Sequence, residues 1–308
     1  MRHQQVTVLV PATTANFGPA FDCMGMALDL WNEIKIEVGE ACKPHVEVTG
    51  EGSAELPSDS SNLVYRSAVY LLDKVDIAFQ ALSISCHNKI PLKRGLGSSA
   101  SAIVGGLVAA NDLAGQPLAP EDILPLAVEL EGHPDNVTAA LLGGARIVVQ
   151  GKKGIITSPV KIPQDLRAVL YIPDGTISTA EARSALPDKV SHEDAVFNTG
   201  RVALLVNALA GNRVQDLAAG TEDRLHQPYR QNLFPAMRLI IQEALKAGAL
   251  GAFVSGSGST VLALARGREM SIAYEMAEAA RKANAPGRTL ITSPSDKGAY
   301  VIKNSMEG

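Results

Sequence analysis

The chain has 308 residues, 46% hydrophobic and 19% charged, a composition that excludes general disorder and suffices for one large domain or two medium ones. Its 28 lysines and arginines against 32 acidic residues give a formal net charge of −4, the wrong sign for a nucleic-acid surface. Aromatics make up 4%, so the core has to be built from Ala, Val, Leu and Ile.

Met1–Gln5 runs straight into a strand-like Val6–Val10 with no signal-peptide apolar region. No apolar run approaches the roughly 20 residues of a membrane span. Cys23, Cys42 and Cys86 are widely spaced and form no CxxC pair. Together these predict a cytoplasmic protein with free thiols and with neither membrane nor nucleic acid as partner. Ile34, Ile36 and Val38 alternate with Glu33, Lys35 and Glu37, the period of a half-buried strand, and 45–49 and 81–87 read the same way. Asn62–Lys74 has helical spacing, with Ser60 or Ser61 available as cap. Ala100–Leu113 is a stronger helix, with Ile103/Leu107 and Val104/Val108 on one face. Gly105 and Gly106 inside it cost about 1 kcal/mol each relative to Ala, which predicts that something packs closely against them.

A helix over 120–131 and a strand over 145–150 follow. The polar break Gly151-Lys152-Lys153-Gly154 then divides the chain into domains 1–152 and 153–308. The second half reads as a strand at 168–172, a helix at about 193–210 and a helix opening at Pro235. After these come a strand–turn–strand around Ser255–Ser259, a helix at 270–284 and a last strand near 299–303. Strands and helices mix without a regular βαβ rhythm, which predicts an α+β fold.

Pro91-Leu92-Lys93-Arg94-Gly95-Leu96-Gly97-Ser98-Ser99-Ala100-Ser101 is the most informative stretch. Its glycines let backbone N–H groups approach an anion without Cβ interference, and the helix that follows adds free N–H groups and the positive end of its dipole. Lys93 and Arg94 add charge, and Ser98, Ser99 and Ser101 add hydroxyls. The loop therefore points to phosphate, the plainer alternative being a turn that caps a helix. It is not a Walker A loop, because no Lys follows either glycine. Gly95-x-Gly97-x-x-Ala100 fits a relaxed dinucleotide fingerprint, but residues 88–94, with Pro91, separate it from the preceding strand. The acidic Glu121 and Asp122 open a helix where that motif needs the end of a strand.

Two further segments accompany the loop. Pro11-Ala12-Thr13-Thr14-Ala15-Asn16-Phe17-Gly18-Pro19-Ala20-Phe21-Asp22 follows the first strand, and Gly251-Ala252-Phe253-Val254-Ser255-Gly256-Ser257-Gly258-Ser259-Thr260 lies late in the chain. In this order the three resemble the signature segments of the GHMP kinase superfamily. Ala20, Ser101 and Thr260 stand where Gly, Ala and Pro are commoner. Glu131-Gly132-His133-Pro134-Asp135-Asn136-Val137 with Leu141-Leu142-Gly143-Gly144, Thr179-Ala180-Glu181-Ala182-Arg183 with Leu186-Pro187, and Asp223–Arg230 with Leu233 and Pro235 resemble the branch whose acceptor is L-homoserine. The resemblance implies a two-domain GHMP kinase fold, an N-terminal half like ribosomal protein S5 domain 2 and a C-terminal ferredoxin-like α/β sandwich, assembled as a homodimer. It implies transfer of the ATP γ-phosphoryl group, with Mg²⁺, to the homoserine side-chain hydroxyl on the way to threonine. The rival readings are a GHMP kinase for another small alcohol and a non-catalytic nucleotide- or small-molecule-binding member.

Carried onto this sequence, the resemblance assigns Pro91–Ser101 to the triphosphate and Asn62 to adenine, although Asn62 reads equally as a helix-start residue. Glu131 with Ser98 or Ser99 would hold the metal, Glu129 being the structural alternative. Asp22 would face the substrate ammonium and Arg183 and Arg230 its carboxylate, with Asn16, His133 and Thr179 as neutral hydrogen-bonding partners. Asn136 and Ser99 are the catalytic candidates. Related branches such as mevalonate kinase place an aspartate where Asn136 stands, so Asn136 is expected to orient the hydroxyl, its proton leaving late, to the γ-phosphate itself. Asp135, one residue earlier, is expected to point elsewhere.

Overall fold

The alternating apolar residues of the N-terminal half form one long antiparallel hairpin, β1 (Gln5–Asn16) and β2 (Ala20–Gly39), with Val8 opposite Ile34. A computed structural model describes residues 5–39, 44–79, 81–152 and 154–302. Cys42 and the ends of the first and last predicted segments, Met1–Gln4 and Lys303, lie outside them. β4 (Ala81–Asn88) runs antiparallel to β2, and β3 (His45–Gly50) lies parallel to β4 at the edge. The first signature segment does not follow the first strand as expected. It is the end of β1, a turn at 17–19 and the start of β2, because the ladder continues past Pro11 through a bulge.

α1 (Leu63–Lys74), α2 (Ser98–Leu113), α3 (Pro120–Glu131) and α4 (Pro134–Leu142) cover one face of this sheet. The cap of α1 is Asn62 rather than either serine: its Oδ1 accepts from Val64 N at 2.9 Å. Gly105 and Gly106 are crowded as expected. A Cβ on Gly105 would strike Ile34 of β2, and one on Gly106 would strike the backbone of Val64 and Ser67 Cβ in α1. Gly106→Ala should therefore lower the midpoint of urea unfolding, at a cost of roughly 1–3 kcal/mol, the size of a core overpacking. An unchanged midpoint would show that α1 is free to move away.

Residues 151–154, where the sequence suggests a division, are the turn between β5 (Ala145–Gly151) and β6 (Gly154–Val160), and both strands belong to the first sheet. The chain reaches the second sheet at β7 (Arg167–Pro173), followed by β8 (Gly251–Val254), β9 (Val261–Ala265) and β10 (Gly287–Thr292). Their order is β10-β7-β9-β8, with every neighbour antiparallel. α6 (His192–Ala210) lies between β7 and β8, together with the short α5 (Thr179–Ser184), α7 (Leu217–Gly220) and α8 (Gln227–Arg230) and then α9 (Met237–Lys246). α10 (Glu269–Lys282) connects β9 to β10. With α9 and α10 on one face, this is the split βαβ arrangement of a ferredoxin-like layer. β11 (Tyr300–Val301) returns to pair with β1.

The halves share a core. Phe17, Met24, Met26 and Leu28 of the hairpin pack with Leu170, Phe253 and Leu264 of the second sheet, and the rings of Phe17 and Phe253 stack at 5.2 Å. No helix among the described residues is long and apolar enough to cross a membrane.

Candidate active site

The glycine loop lies where both halves meet. Lys93, Gly95 and Gly97 all have φ between 54° and 71°, and a Cβ on Gly95 would run into Ser255 O and Gly258 N. Gly97 is the N-cap of α2 with no side-chain cap, so the N–H groups of the first turn stay open to a ligand. Ser255 Oγ donates to Gly95 O at 2.6 Å, and Thr260 N donates to Arg94 O at 3.2 Å. The late glycine turn thus props the phosphate-binding candidate from behind.

The cleft in front of this loop, about 280 Å³, gathers most of the residues singled out in the sequence. From the loop, Leu92, Lys93, Arg94, Gly95, Gly97, Ser98 and Ser99 line it. Asn16, Asp22 and Asn62 line it from the first half, Glu131, His133 and Asn136 from the end of α3 and the start of α4, and Thr179, Arg183 and Arg230 from the second half. Pro91, Leu96, Ala100 and Ser101 do not. Leu96, Ala100 and Ser101 turn into the core, and the hydroxyl of Ser101 is buried with no hydrogen-bond partner, so it offers nothing to phosphate. Arg94 has its guanidinium occupied: it donates to the carbonyls of Leu92, Pro173 and Asp174 at 2.8, 2.7 and 2.6 Å. It pins the loop to β7, leaving Lys93 as the loop's available cation.

At the other end of α2's first turn, Ser99 Oγ donates to Glu131 Oε2 at 2.7 Å. Burial raises the Glu131 pKa above the ordinary carboxylate range, against the opposing effect of that hydrogen bond. Glu129 is exposed and outside the cleft. His133 Nδ1 lies 4.0 Å from Glu131, and burial together with Arg183 holds its pKa below the usual histidine value.

The acceptor end carries paired charges. Arg183 Nη2 contacts Asp22 Oδ1 at 2.7 Å, with the two side chains 37% and 34% exposed. The groups expected to face opposite ends of a zwitterion therefore neutralise each other. Asn16 holds this corner: its Nδ2 donates to Gly256 O and its Oδ1 accepts from Asp22 N, both at 2.9 Å. Asn16, Phe17 and Asp22 have positive φ without being glycine, strain of the kind that collects at functional sites.

Two side chains without an assigned role also belong here. Asp135 does not point elsewhere. It is 3% exposed, lines the same cleft, and its Oδ1 accepts from Asn136 N at 2.7 Å. At a helix start, neighbouring side chains reach the same side when one folds back onto the next backbone N–H. Burial, then the charge of Asp22, lifts the Asp135 pKa to about 7. Thr13 Oγ1 donates to Asn136 Oδ1 at 2.8 Å and sits where Gly97 leaves room for it. The charge of Asp135 and the polar Thr13 inside an apolar strand were the available sequence signals.

Comparisons with known proteins show the family and the fold. Models of the GHMP kinases N terminal domain and the GHMP kinases C terminal domain match residues 62–144 and 201–283. The homoserine kinase of Moorella thermoacetica is 43% identical over 295 residues, 96% of this chain and 99% of that protein. That of Desulfitobacterium hafniense is 40% identical over 298 residues, 96% of this chain and 100% of that one. Among solved structures, homoserine kinase from Cytophaga hutchinsonii superposes with a TM-score of 0.89 at 29% identity, covering 98% of each chain. L. major mevalonate kinase, at 18% identity and a TM-score of 0.70 over 93% of this chain and 95% of that one, shares the fold.

Proposed function

The chain belongs to the homoserine kinases of the GHMP kinase family, and from that premise we propose how its cleft transfers the ATP γ-phosphoryl group to the side-chain hydroxyl of L-homoserine. The observation that carries the reading is the convergence in one cleft of an open helix N-terminus on a glycine loop with Asp22, Asp135, Arg183 and Arg230.

Phosphoryl transfer depends on positioning and charge neutralisation more than on covalent help. The N–H groups of the Gly95–Ser99 segment receive the phosphates, with Lys93 beside them. Among the described residues no three His, Cys, Asp or Glu side chains are placed to hold an ion unaided. The oxygen donors Glu131, Ser99 and Ser98 nonetheless fit Mg²⁺, which takes one or two carboxylates and completes its shell from phosphates and water. When bound, the ion supplies charge neutralisation to the phosphate oxygens. Asp22 and Asp135 face the substrate ammonium and Arg183 and Arg230 its carboxylate, so the zwitterion takes over the charges that Asp22 and Arg183 share without it. Two such chains as a homodimer complete the proposal.

Asn136 is the group beside the reacting hydroxyl. Its oxygen already accepts from Thr13 and its Nδ2 lies 3.3 Å from Asp135, so it presents an N–H and no basic atom. Asn136→Asp is accordingly expected to leave kcat no higher. A gain near the roughly 10²-fold that a positioned base supplies, read by steady-state kinetics, would show that a base was missing.

The raised pKa of Asp135 gives a pH dependence with a definite sign. With a value of about 7 the carboxyl is partly protonated at neutral pH, and an ammonium between it and Asp22 favours the ionised form. Homoserine KM should therefore rise as pH falls through about 7, and Asp135→Asn should flatten that profile while raising KM throughout. A slope surviving in Asp135→Asn would assign it to another group.

The product tests the bond that forms. Incubation with MgATP and L-homoserine should give a phosphomonoester by ³¹P NMR, stable to hydroxylamine. A hydroxylamine-labile acyl phosphate would place transfer on the carboxylate and contradict the reading.

A further inference from the structure

Behind the acceptor end of the cleft, outside its lining, sits a fully buried imidazole. His226 has its Nε2 2.6 Å from Gly18 O and its Nδ1 3.0 Å from Arg230 Nη1. A guanidinium only donates and a carbonyl only accepts, so both neighbours demand one neutral tautomer: the proton on Nε2, the lone pair on Nδ1. Burial, the largest influence on this ring, pushes its pKa down and supports the same state. The residue is itself held. The buried Asp223 carboxylate accepts from the backbone N–H groups of Leu225, His226 and Gln227 at 2.8, 3.1 and 2.7 Å, and from Asn198 Nδ2 at 2.8 Å. The ring of Phe21 lies 5.2 Å from the imidazole and 5.4 Å from the Arg230 guanidinium.

These contacts leave one nitrogen of Arg230 free. Nη1 donates to His226 and to Gly256 O at 2.9 Å, and Nε donates to Ala182 O at 3.3 Å, while no hydrogen bond among the described residues takes Nη2. We propose that His226 is a positioning residue for the acceptor carboxylate: its Nδ1 lone pair turns Arg230 so that Nη2 faces the cleft, and its Nε2–H ties that arginine to the turn at Gly18, on the hairpin that carries Asn16 and Asp22. The imidazole thereby fixes the distance between the group that takes the carboxylate and the hairpin that takes the ammonium, which selects an α-amino acid over an alcohol bearing only one of these charges. The proposal rests on Arg230 as the carboxylate partner.

The experiment compares His226→Gln, His226→Asn and Arg230→Ala in the full chain, reading KM for L-homoserine and for ATP, the unfolding midpoint, and the preference for L-homoserine over 3-aminopropan-1-ol, which lacks the carboxylate. Gln keeps an N–H near Gly18 O but no acceptor at the Nδ1 position. It should raise homoserine KM roughly tenfold or more, the size of a lost hydrogen bond to a charged group, cut the preference by the same factor, and leave ATP KM unchanged. Asn, with an oxygen near the Nδ1 position, should recover most of both. Equal homoserine KM values in the two variants overturn the proposal, as does an ATP KM that rises in step. A raised KM in Arg230→Ala with wild-type behaviour in His226→Gln overturns the histidine's role alone, whereas an unchanged KM in Arg230→Ala overturns the carboxylate reading beneath it. Should His226→Gln fail to fold, ¹H–¹⁵N NMR of the wild-type ring decides: a protonated Nε2, with an Nδ1 resonance that L-homoserine shifts and ATP does not, is the expected result. A protonated Nδ1 contradicts it.

Discussion

Arg230→Ala is expected to raise the homoserine KM roughly 30-fold or more, the equivalent of about 2 kcal/mol at the low end of what losing one partner of a buried charge pair costs, while ATP KM stays near its wild-type value. The side chain is 4% exposed and keeps its charge at neutral pH, since burial and then Arg183 lower its pKa only to about 10. An incoming carboxylate would meet a desolvated guanidinium already aligned by three hydrogen-bonding groups of the protein, Ala182 O, His226 Nδ1 and Gly256 O. Arg230→Lys should not restore binding, because one ammonium cannot hold Ala182 O, His226 Nδ1 and Gly256 O and still turn an N–H to the cleft. Arg183→Ala should cost less. Arg183 is 37% exposed and paired with Asp22, so water screens what it contributes. Steady-state kinetics with each substrate varied separately checks this order, and equal damage to both KM values would mark Arg230 as a folding residue.

Glu131→Gln should lower kcat by about 10²–10³, the range for losing one electrostatic group aimed at developing charge, and raise the Mg²⁺ concentration needed for half-maximal rate. The fold should survive. The amide keeps an acceptor for Ser99 Oγ–H, and removing a buried carboxylate whose pKa is raised by desolvation relieves a strained ionisation. Activity and stability should therefore part company, with the unfolding midpoint equal to wild type or higher. Glu129→Gln, on the exposed side of α3, should change neither. Unchanged kcat in Glu131→Gln would remove this carboxylate from the metal site.

Elements with a strong apolar period were legible from the amino-acid sequence: the hairpin core at Ile34, Ile36 and Val38, and helices α2, α3 and α10. β10 was not, because Gly287–Thr292 pairs along one side alone and buries little, leaving scarcely any alternation to read. The polar break at 151–154 looked like a linker because the turn of a hairpin and a link between domains need the same flexible residues. For the site, the signature-like segments around 16–22, 91–101, 131–137, 179–183 and 223–230 sufficed to bring most of its residues together. The individual errors came from contacts and boundaries that residue spacing does not show. Arg94 reads as a phosphate ligand until Pro173 and Asp174 take its guanidinium. Ser101 reads as a loop hydroxyl until α2 begins at Ser98 and turns it inward. Asp135 reads as pointing elsewhere, one residue before Asn136, until its carboxyl folds back onto Asn136 N and reaches the same cleft. His226 carried a motif but no role, since its function depends on a carbonyl 208 positions away.

ADP release from MgATP in a coupled assay, with L-homoserine, mevalonate, galactose or no acceptor, reads the acceptor preference of the cleft directly. Turnover confined to L-homoserine is the predicted result, because one cleft joins a phosphate loop to paired carboxylates and arginines that suit a zwitterion. Comparable turnover with mevalonate or galactose would contradict the Asp22, Asp135, Arg183 and Arg230 assignment, and ADP release indifferent to any acceptor would contradict the account of the cleft as a whole.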